Sequence, residues 1–409
     1  MAQKSGQAAI EAPVQPLTKA GANIAGASEH NRRVVMQGLR LNGAMSRAQI
    51  SRSTGLVPQT VSNIIYDLEA EGLVVAAEPV RAGRGQPATP YSIARHGAFA
   101  FGMQIDVHRV RTVAVDLLGE IVAETECALG PGGLEANFGT ILAAFHRVVT
   151  ISTRLAGTTT RRHLGLGVAM PAPTGVHAQS DDPWMVSLGD DHPVIKALQQ
   201  ATGLLVSLHH DASAAAVAER LVGCAKGLDD FVLLFVGYGL GGGLYVGGEL
   251  QRGTNRLAGE IGLIYVPTPD GPVPLEELTA LKRLYAQLGL DPSQTDLLDR
   301  LDHAAKTGAP EVRNWVRESA RHLAWAVDLV ECLVDPEGVV IAGQMPDALL
   351  DALHAAILTE QDAWPRRAPL RPRPLRGSAG PFSVAVGAAA DPIARAFDPS
   401  LSAMTKAQG

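Results

Sequence analysis

Residues 46–63 read SRAQISRSTGLVPQTVSN and decide the fold of the first part of the chain. Ser46 and Gln49 form the pattern of a capping box, which predicts that a helix begins directly after Ser46. Gly55 can adopt the left-handed conformation that ends a helix, and Pro58 suits the first turn of the next one. The stretch therefore predicts two helices joined by a tight turn.

The neighbouring segments complete a winged helix-turn-helix pattern. Apolar residues recur at helical spacing over 31–40, and residues 58–70 place their apolar side chains on one face. A short strand is expected at 73–75 and a returning strand at 91–93, after a turn rich in Arg and Gly. Three helices followed by a two-stranded wing is the order of a winged helix-turn-helix. The alternative is a helical cap that binds no ligand.

Candidate DNA contacts lie on the third helix, around the second helix and in the wing. Amides can pair with adenine and hydroxyls adapt to several bases, so the polar face of the third helix is expected to read base edges. The arginines of the second helix are expected at phosphates. Residues 83–87, GRGQP, are similar to a minor-groove AT hook, and a plain wing tip is the alternative. The candidates are Gln59, Thr60, Asn63, Arg47, Arg52, Arg81 and Arg84.

Charge is divided unevenly along the chain. The net charge of all 409 residues is −6, but residues 30–95 hold eight arginines and four acidic residues, a net charge of +4. Residues 96–409 therefore carry −10. A basic module suited to DNA is joined to a larger acidic part.

Composition and cysteine spacing exclude several classes of protein. With 46% hydrophobic residues, the chain is neither fibrous nor disordered. Cys127, Cys224 and Cys332 form no C-x-x-C pair, and the N-terminus has no secretory signal, which predicts a reduced, cytoplasmic protein. The most apolar stretch, 231–246, is interrupted by glycines and is too short to span a membrane. It predicts a buried strand that runs into a glycine loop.

From residue 96 onward, strand-like runs alternate with helical stretches. Such alternation predicts α/β sheets covered by helices on both faces. Strands are expected at 98–105, 111–117, 120–125, 164–170, 204–208, 231–236 and 338–342. Helices are expected at 134–154, 193–201, 212–225 and 311–333, the last packed in the core or, alternatively, between subunits.

Several short segments together carry a family resemblance that covers nearly the whole chain. They are NRR (31–33), SRAQISRSTG (46–55), TVS (60–62), GRGQPAT (83–89), DASAAA (211–216), GLGGG (239–243), Gly253, AGEIG (258–262) and DPEGVVIAG (335–343). The chain resembles the ROK family, which groups sugar-responsive transcription repressors with sugar kinases. The resemblance implies an actin-like (ribonuclease-H-like) ATPase-type fold, in which two α/β lobes surround a sugar-binding cleft.

Together, these patterns and the resemblance divide the chain into domains. The expected parts are a flexible leader at 1–29, a winged helix-turn-helix DNA-binding domain at 30–78, a wing and linker at 79–95, a small α/β lobe at 96–222 completed by 389–409, and a large α/β lobe at 223–388. The effector site is expected in the cleft.

Four residues are candidates for binding the effector. The resemblance implies that Asp211 matches the kinases' catalytic base and contacts a sugar hydroxyl, with His210 in place of the usual Asn. Asp211 could also cap the following helix, a role compatible with sugar contact. Glu260 matches a sugar-binding Glu, although Leu263 replaces the His that usually follows. Glu276 matches a further sugar-binding Glu, and an ordinary acid in a first helical turn is the alternative.

Two departures from the family bear on cofactors and catalysis. Residues 265–274 contain no cysteine where relatives carry a zinc-binding cluster, so no structural zinc and no other cofactor is expected. Residues 106–110 read DVHRV where the kinases hold ATP phosphate with a glycine loop. Without those glycines the backbone cannot approach a phosphate closely, so a non-catalytic regulator is expected. The glycines at 239–243 remain and can serve packing alone.

The sequence thus predicts a sugar-responsive transcriptional repressor that binds operator DNA and a sugar or sugar derivative. Specific DNA binding by so small a module predicts a homodimer or a higher even oligomer. No membrane partner is expected. Two alternatives stay open: a sugar kinase with an accessory DNA-binding domain, and a regulator that has lost its small ligand and responds to a protein partner.

Overall fold

The computed structural model describes residues 24–78, 89–106, 108–130, 132–155, 162–171, 193–255, 257–294, 296–364 and 373–399. In chain order these form an N-terminal module and two α/β lobes. Among the helices of these ranges, none is long and apolar enough to cross a bilayer.

The N-terminal module contains three helices and a three-stranded antiparallel sheet, the arrangement of a winged helix-turn-helix. Its elements are α1 (Ile24–Asn42), β1 (Met45–Ser46), α2 (Arg47–Thr54), α3 (Pro58–Ala70), β2 (Val74–Ala76) and β3 (Pro90–Ile93), with strand order β1-β3-β2. The capping box forms as predicted, because Ser46 Oγ accepts from Gln49 N and Gln49 Oε1 accepts from Ser46 N. Gly55 ends α2 with φ of 71°.

Helix α1 corrects the predicted flexible leader at 1–29. The helix begins at Ile24, inside that leader, and runs without interruption to Asn42. Residues 1–23 lie outside the described part of the chain, as do residues 79–88 of the predicted wing and linker.

The first lobe is built on a five-stranded mixed sheet. Its elements are β4 (Ala98–Ile105), β5 (Arg109–Val115), β6 (Ile121–Ala128), α4 (Gly133–Leu155), β7 (Arg162–Met170), α5 (Pro193–Thr202), β8 (Val206–His210) and α6 (Asp211–Leu221). The strand order is β6-β5-β4-β7-β8, antiparallel from β6 to β4 and parallel from β4 to β8.

The second lobe repeats this sheet topology. Its strands β9 (Phe231–Val236), β10 (Leu240–Val246), β11 (Glu249–Gln251), β14 (Gly338–Gly343) and β15 (Leu375–Arg376) lie in the order β11-β10-β9-β14-β15. A small hairpin joins β12 (Tyr265–Val266) to β13 (Val273–Pro274). The helices are α7 (Leu275–Thr279), α8 (Leu281–Leu288), α9 (Leu297–Lys306), α10 (Pro310–Val334) and α11 (Asp347–Asp362). Trp315 of α10 is 1% exposed within this lobe, so the predicted core packing of that helix is the observed one.

The last described helix, α12 (Ser383–Phe397), returns to the first lobe and packs on β4, β7 and α6. Two glycines allow the close approach: a side chain at Gly102 would overlap the carbonyl of Ala385, and one at Gly167 would overlap that of Ala388. The segment that completes the first lobe therefore begins at Ser383, before the predicted boundary at 389, and residues 400–409 lie outside the described part.

The predicted glycine loop after β9 is wrong, because its last three glycines form the strand β10. Gly241 to Gly243 pair antiparallel with β9. A side chain at Gly243 would overlap Ala216 of α6, and one at Gly242 would lie 2.7 Å from the carbonyl oxygen of Gly259. Glycine is therefore required here for packing between strand, helix and turn.

The N-terminal module shares one hydrophobic core with the first lobe. Val35, Ile65 and Leu68 of the module belong to the same buried cluster as Ala98 of β4 and Ile393 of α12. The backbones also meet, since a side chain at Gly97, directly before β4, would overlap the carbonyl oxygen of Gly72. The module is thus packed as an extension of the first lobe.

Candidate functional site

Three of the predicted effector-binding residues meet at the junction of β8 and α6. The imidazole of His210 lies between two carboxylates, with Nδ1 3.4 Å from Asp211 Oδ1 and Nε2 3.7 Å from Glu260 Oε1. All three side chains are 14–19% exposed, so they are shielded but reachable from solvent. This cluster of two acids and one imidazole offers acceptors and a donor for ligand hydroxyl groups.

The alternative role predicted Asp211 as the N-cap of α6. The structure instead places Asp211 as the first residue of that helix. The N-cap is His210, whose side chain makes no capping hydrogen bond. Asp211 Oδ1 accepts instead from the amide of Ala212 at 2.6 Å. The carboxylate therefore sits in the first helical turn, where the helix dipole favours negative charge.

Glu260 is positioned by a tight turn against the glycine strand. Gly259 has φ of 92° and packs on Gly242, which leaves no room for a side chain at either position. A 3₁₀ turn over Ile261–Leu263 follows, and the amide of Leu263 donates to the carbonyl of Glu260 at 3.2 Å. Leu263, which stands where relatives carry His, closes this turn.

Glu276 lies in the first turn of α7, as its alternative role predicted. The structure also places it beside the glycine strand, since a side chain at Gly239 would begin 3.0 Å from Glu276 Oε2. Glu276 Cβ would likewise lie 3.3 Å from a side chain at Gly262, in the turn after Glu260. Glu276 therefore borders the same turn as Glu260.

Asp106, directly after β4, and Arg109, at the start of β5, line a polar recess between the lobes. The amide of Asp106 donates to the carbonyl of Arg109 at 2.9 Å. The polar residues that line the recess are Asp106, His108, Arg109, Arg111, Tyr238, Tyr285 and Gln344. Burial, together with the nearby Asp106 carboxylate, raises the pKa of Tyr285 well above its usual value.

Two buried arginines occupy the wall of this recess. Arg109 Nη1 lies 3.0 Å from Glu126 Oε1 and Arg111 Nε lies 2.6 Å from Glu126 Oε2. The arginine side chains are 9% and 3% exposed. Guanidinium groups held by a carboxylate thus fill this region. A phosphate-binding loop would instead present bare backbone amides there.

The hairpin β12–β13 lies where the resemblance implied a metal-binding loop. Its turn is closed by hydrogen bonds between Thr268 and Gly271, with Thr268 Oγ1 2.5 Å from the carbonyl oxygen of Gly271. In the described ranges, no group of three His, Cys, Asp or Glu residues is arranged to hold a metal ion.

The predicted base-reading residues lie on α3. Gln59 and Asn63 are exposed, and Gln59 Nε2 donates to Asn63 Oδ1 at 3.0 Å, which orients the two amides side by side. Thr60 is half-buried at the edge of this face. Tyr66, which is 69% exposed, was not predicted, although its spacing from Gln59 and Asn63 places it on the same helix face.

The predicted phosphate-binding arginines are only partly described. Arg47 is exposed and its guanidinium lies 5.0 Å from the ring centre of Tyr91, a cation–π contact that holds it beside β3. Arg52 is exposed in the last turn of α2. Arg81 and Arg84 lie outside the described residues.

A family model for ROK proteins matches residues 102–390 of this chain. The chain belongs to the ROK family. The structure of a ROK family transcriptional regulator, a homologue of the E. coli MLC protein, superposes with a TM-score of 0.67 at 21% identity, covering 94% of this chain and 100% of that one.

Named relatives include a repressor and a kinase. The xylose repressor of Caldicellulosiruptor bescii is 23% identical over 336 residues, which are 77% of this chain and 83% of the repressor. The beta-glucoside kinase of Listeria monocytogenes is 30% identical over 182 residues, which are 38% of this chain and 61% of the kinase. The ROK family membership therefore allows either function.

Proposed function

We propose that this ROK protein is a cytoplasmic, sugar-responsive transcriptional repressor that binds operator DNA. One observation carries the proposal: the module that exposes Gln59 and Asn63 shares its core with the lobe that holds Asp211. A ligand in the cleft and a DNA duplex on α3 would therefore act on one packed unit. The repressor and regulator relatives support the same function.

The chemistry of the cleft supports a sugar or sugar derivative as the effector. Carboxylates accept hydrogen bonds from hydroxyl groups, and each such charge-assisted bond contributes about 1.5–3 kcal/mol. Asp211 and Glu260 flank His210, which can donate or accept, so adjacent hydroxyls could be held from two sides. A xylose repressor among the relatives agrees with a monosaccharide ligand.

The polar recess supports a non-catalytic role. Phosphate transfer needs donors aimed at the transferred group, and glycine-rich backbone usually supplies them. Here the side chains of His108 and Arg109 occupy the turn, and Arg109 and Arg111 are engaged by Glu126. We therefore propose neither ATP turnover nor a resident metal.

Signal transfer requires a ligand affinity that differs between two arrangements of the lobes. Only such a difference can shift the balance between a DNA-binding form and a released form. A homodimer or a higher even oligomer would place two α3 helices on a two-fold operator, since one module covers a short half-site. Light scattering of the purified chain measures the subunit number directly.

Selection of duplexes from a random library, followed by fluorescence anisotropy, tests DNA binding. Gln59→Ala and Asn63→Ala should each weaken the selected duplex about 5- to 100-fold and relax its sequence preference, because an amide pair with adenine contributes about 1–3 kcal/mol. Glu69→Gln, on the same helix but in its last turn, is the matched control and should bind as the unmodified chain does. A chain that selects no duplex at low salt would refute the proposal.

A sugar panel then tests the effector role of the cleft. One or more monosaccharides or their derivatives should change the affinity for the selected duplex, and Asp211→Asn should abolish that response while leaving affinity without sugar unchanged. Operator affinity that no sugar alters would contradict sugar sensing and favour a protein partner as the signal.

A sugar kinase with an accessory DNA-binding module is the second candidate. Its support is the carboxylate of Asp211 beside His210, a position suited to a base, and the kinase among the relatives. A coupled assay of ADP release with a panel of hexoses should show no turnover above the background of an Asp211→Asn variant. Turnover that depends on Asp211 would replace the repressor proposal.

A further inference from the structure

A second polar cluster lies behind the candidate cleft, on the opposite face of β8. His209 directly precedes His210, so the two side chains point to opposite faces of the strand. The imidazole of His209 is 9% exposed. Its Nε2 lies 2.9 Å from Ser207 Oγ and 3.7 Å from Asp391 Oδ2, and its Nδ1 lies 3.5 Å from Arg252 Nη2.

The chemistry of these groups fixes the direction of each hydrogen bond. A guanidinium can only donate, so Arg252 makes Nδ1 of His209 an acceptor and leaves the ring proton on Nε2. Burial lowers the pKa of His209 to about 4, so the ring is neutral at physiological pH. Its Nε2–H then donates to Ser207, and the Ser207 hydroxyl donates to Asp391.

The chain of hydrogen bonds ends on α12. Asp391 also accepts from Arg395 Nε at 2.7 Å. Arg252, His209, Ser207 and Asp391 thus form a directed series, here named the His209 relay.

The His209 relay connects three functional elements of the molecule. Arg252 belongs to the second lobe, and its carbonyl accepts from the amide of Ala258 at 3.2 Å, closing the turn that leads to Glu260. His209 adjoins the residues that open α6 at the cleft. Asp391 lies on α12, whose Ile393 is buried in the core shared with the N-terminal module.

We infer that His209 and Arg252 are positioning residues of the cleft, and that their contact transmits cleft closure to α12 and the DNA-binding module. The step between the lobes is long, at 3.5 Å, against 2.9 Å between His209 and Ser207 within the first lobe. A ligand held by Asp211 and Glu260 draws the turn that carries Arg252 toward β8 and shortens the distance between Arg252 and His209. The positioning role of His209 and Arg252 rests on the proposed effector cleft. The hydrogen-bonded series itself can be tested without effector or DNA.

Hydrogen–deuterium exchange of the full chain, free of ligand, tests the relay. Arg252→Ala should raise the exchange rates both in the turn 252–260 and in α12, the latter about 2- to 10-fold, because coupled residues share free energy. His209→Gln retains a nitrogen near the position of Nε2 but loses the acceptor for Arg252. In that background, Arg252→Ala should add nothing to the exchange of α12.

The matched control is Arg373→Ala, which removes an exposed arginine paired with Asp362 on the second lobe. Exchange in α12 that responds to Arg252→Ala no more than to Arg373→Ala would overturn the relay. An equal effect of Arg252→Ala with His209 or Gln at position 209 would overturn it as well. Because Arg252 is exposed, its replacement leaves the folded core intact.

Nitrogen NMR of histidine-labelled protein supplies a readout that loss of packing alone would not change. His209 should show a protonated Nε2 and an unprotonated Nδ1, and Arg252→Ala should shift the Nδ1 resonance. A proton on Nδ1 would refute the assigned direction of the series. A chain with coupled exchange that binds no sugar would keep the relay and refute the effector role of the cleft.

Discussion

Replacing Glu71 with Gln should loosen helix α1 from α3 within the N-terminal module. Glu71 caps α3, and its Oε1 accepts from Arg32 Nη1 of α1 at 2.7 Å, while Oε2 pairs with Arg162 of β7 at 2.7 Å. Arg32 also binds Oε2, so its contact is two-pronged. One carboxylate therefore joins two elements of the module to the lobe.

The magnitude follows from the exposure of the three side chains, which is 20% for Arg32, 27% for Glu71 and 46% for Arg162. Solvent screens the Arg162 pair, which contributes well under 1 kcal/mol. The two-pronged pair with Arg32 is better shielded and contributes about 1–2 kcal/mol. Glu71→Gln should thus raise the fraction of the module in which α1 has separated from α3 about 5- to 30-fold.

The pH dependence has a definite sign. The hydrogen bond from Arg32 is the largest cause that holds the pKa of Glu71 below its usual value, against the effect of burial. A carboxyl whose pKa is lowered by folding stabilises the protein above its unfolded pKa, about 4.3, and this contribution is lost as pH falls through the folded pKa. The difference between Glu71→Gln and the unmodified chain should therefore be full at pH 7 and shrink below pH 4.

Hydrogen exchange of α1 and α3 between pH 7 and pH 3.5, corrected for intrinsic rates, measures this difference. Glu29→Gln is the matched control, because Glu29 pairs with Arg33 one turn along α1 and is itself 52% exposed. If both variants exchanged alike at pH 7, or if the Glu71→Gln effect persisted unchanged at pH 3.5, the assigned role of the carboxylate would be refuted.

Two further substitutions test the packing around α6. Gly243→Val should destabilise the fold by about 2–3 kcal/mol in urea denaturation, because the new side chain overlaps Ala216. Gly139→Ala, in open space on α4, is the control and should be neutral or stabilising. Equal effects of the two substitutions would contradict the packing account. Glu219→Gln should lower the melting temperature, because the Glu219 carboxylate accepts three backbone hydrogen bonds, from Cys224, Ser378 and Ala379. The same variant should speed alkylation of Cys224 at pH 8, since burial and the Glu219 charge raise the pKa of that thiol to about 12; an unchanged rate would exclude the charge effect.

Local chemistry explains why much of the fold could be predicted from sequence. The capping box at Ser46 and the left-handed Gly55 act within a few residues, and both appear where predicted. The buried strand at Phe231–Val236 was expected at its observed bounds, because a short apolar run bounded by turn residues has few other solutions. The strand β10 was missed because its glycines meet α6 and Gly259, which are contacts that no local pattern contains.

The residues of the candidate cleft also differ in whether they could be predicted from the sequence. The approach of Asp211 to Glu260 was expected only through the family resemblance, since the two residues are distant in sequence and meet through His210. No pattern in the sequence predicted a role for His209. Its partners Ser207, Arg252 and Asp391 come from two lobes and a helix that returns from the end of the chain, so only the tertiary fold brings them together.

The shared core also restricts how a repressor of this architecture can respond to its ligand. Because the module packs on β4 and α12, closing the cleft moves the second lobe relative to the module, while the module stays with the first lobe. Subunit contacts made by first lobes alone would leave the His209 relay as the route from the cleft to the spacing of two modules. A partner contact that involves the second lobe would let the free energy of closure act directly on the distance between the two α3 helices.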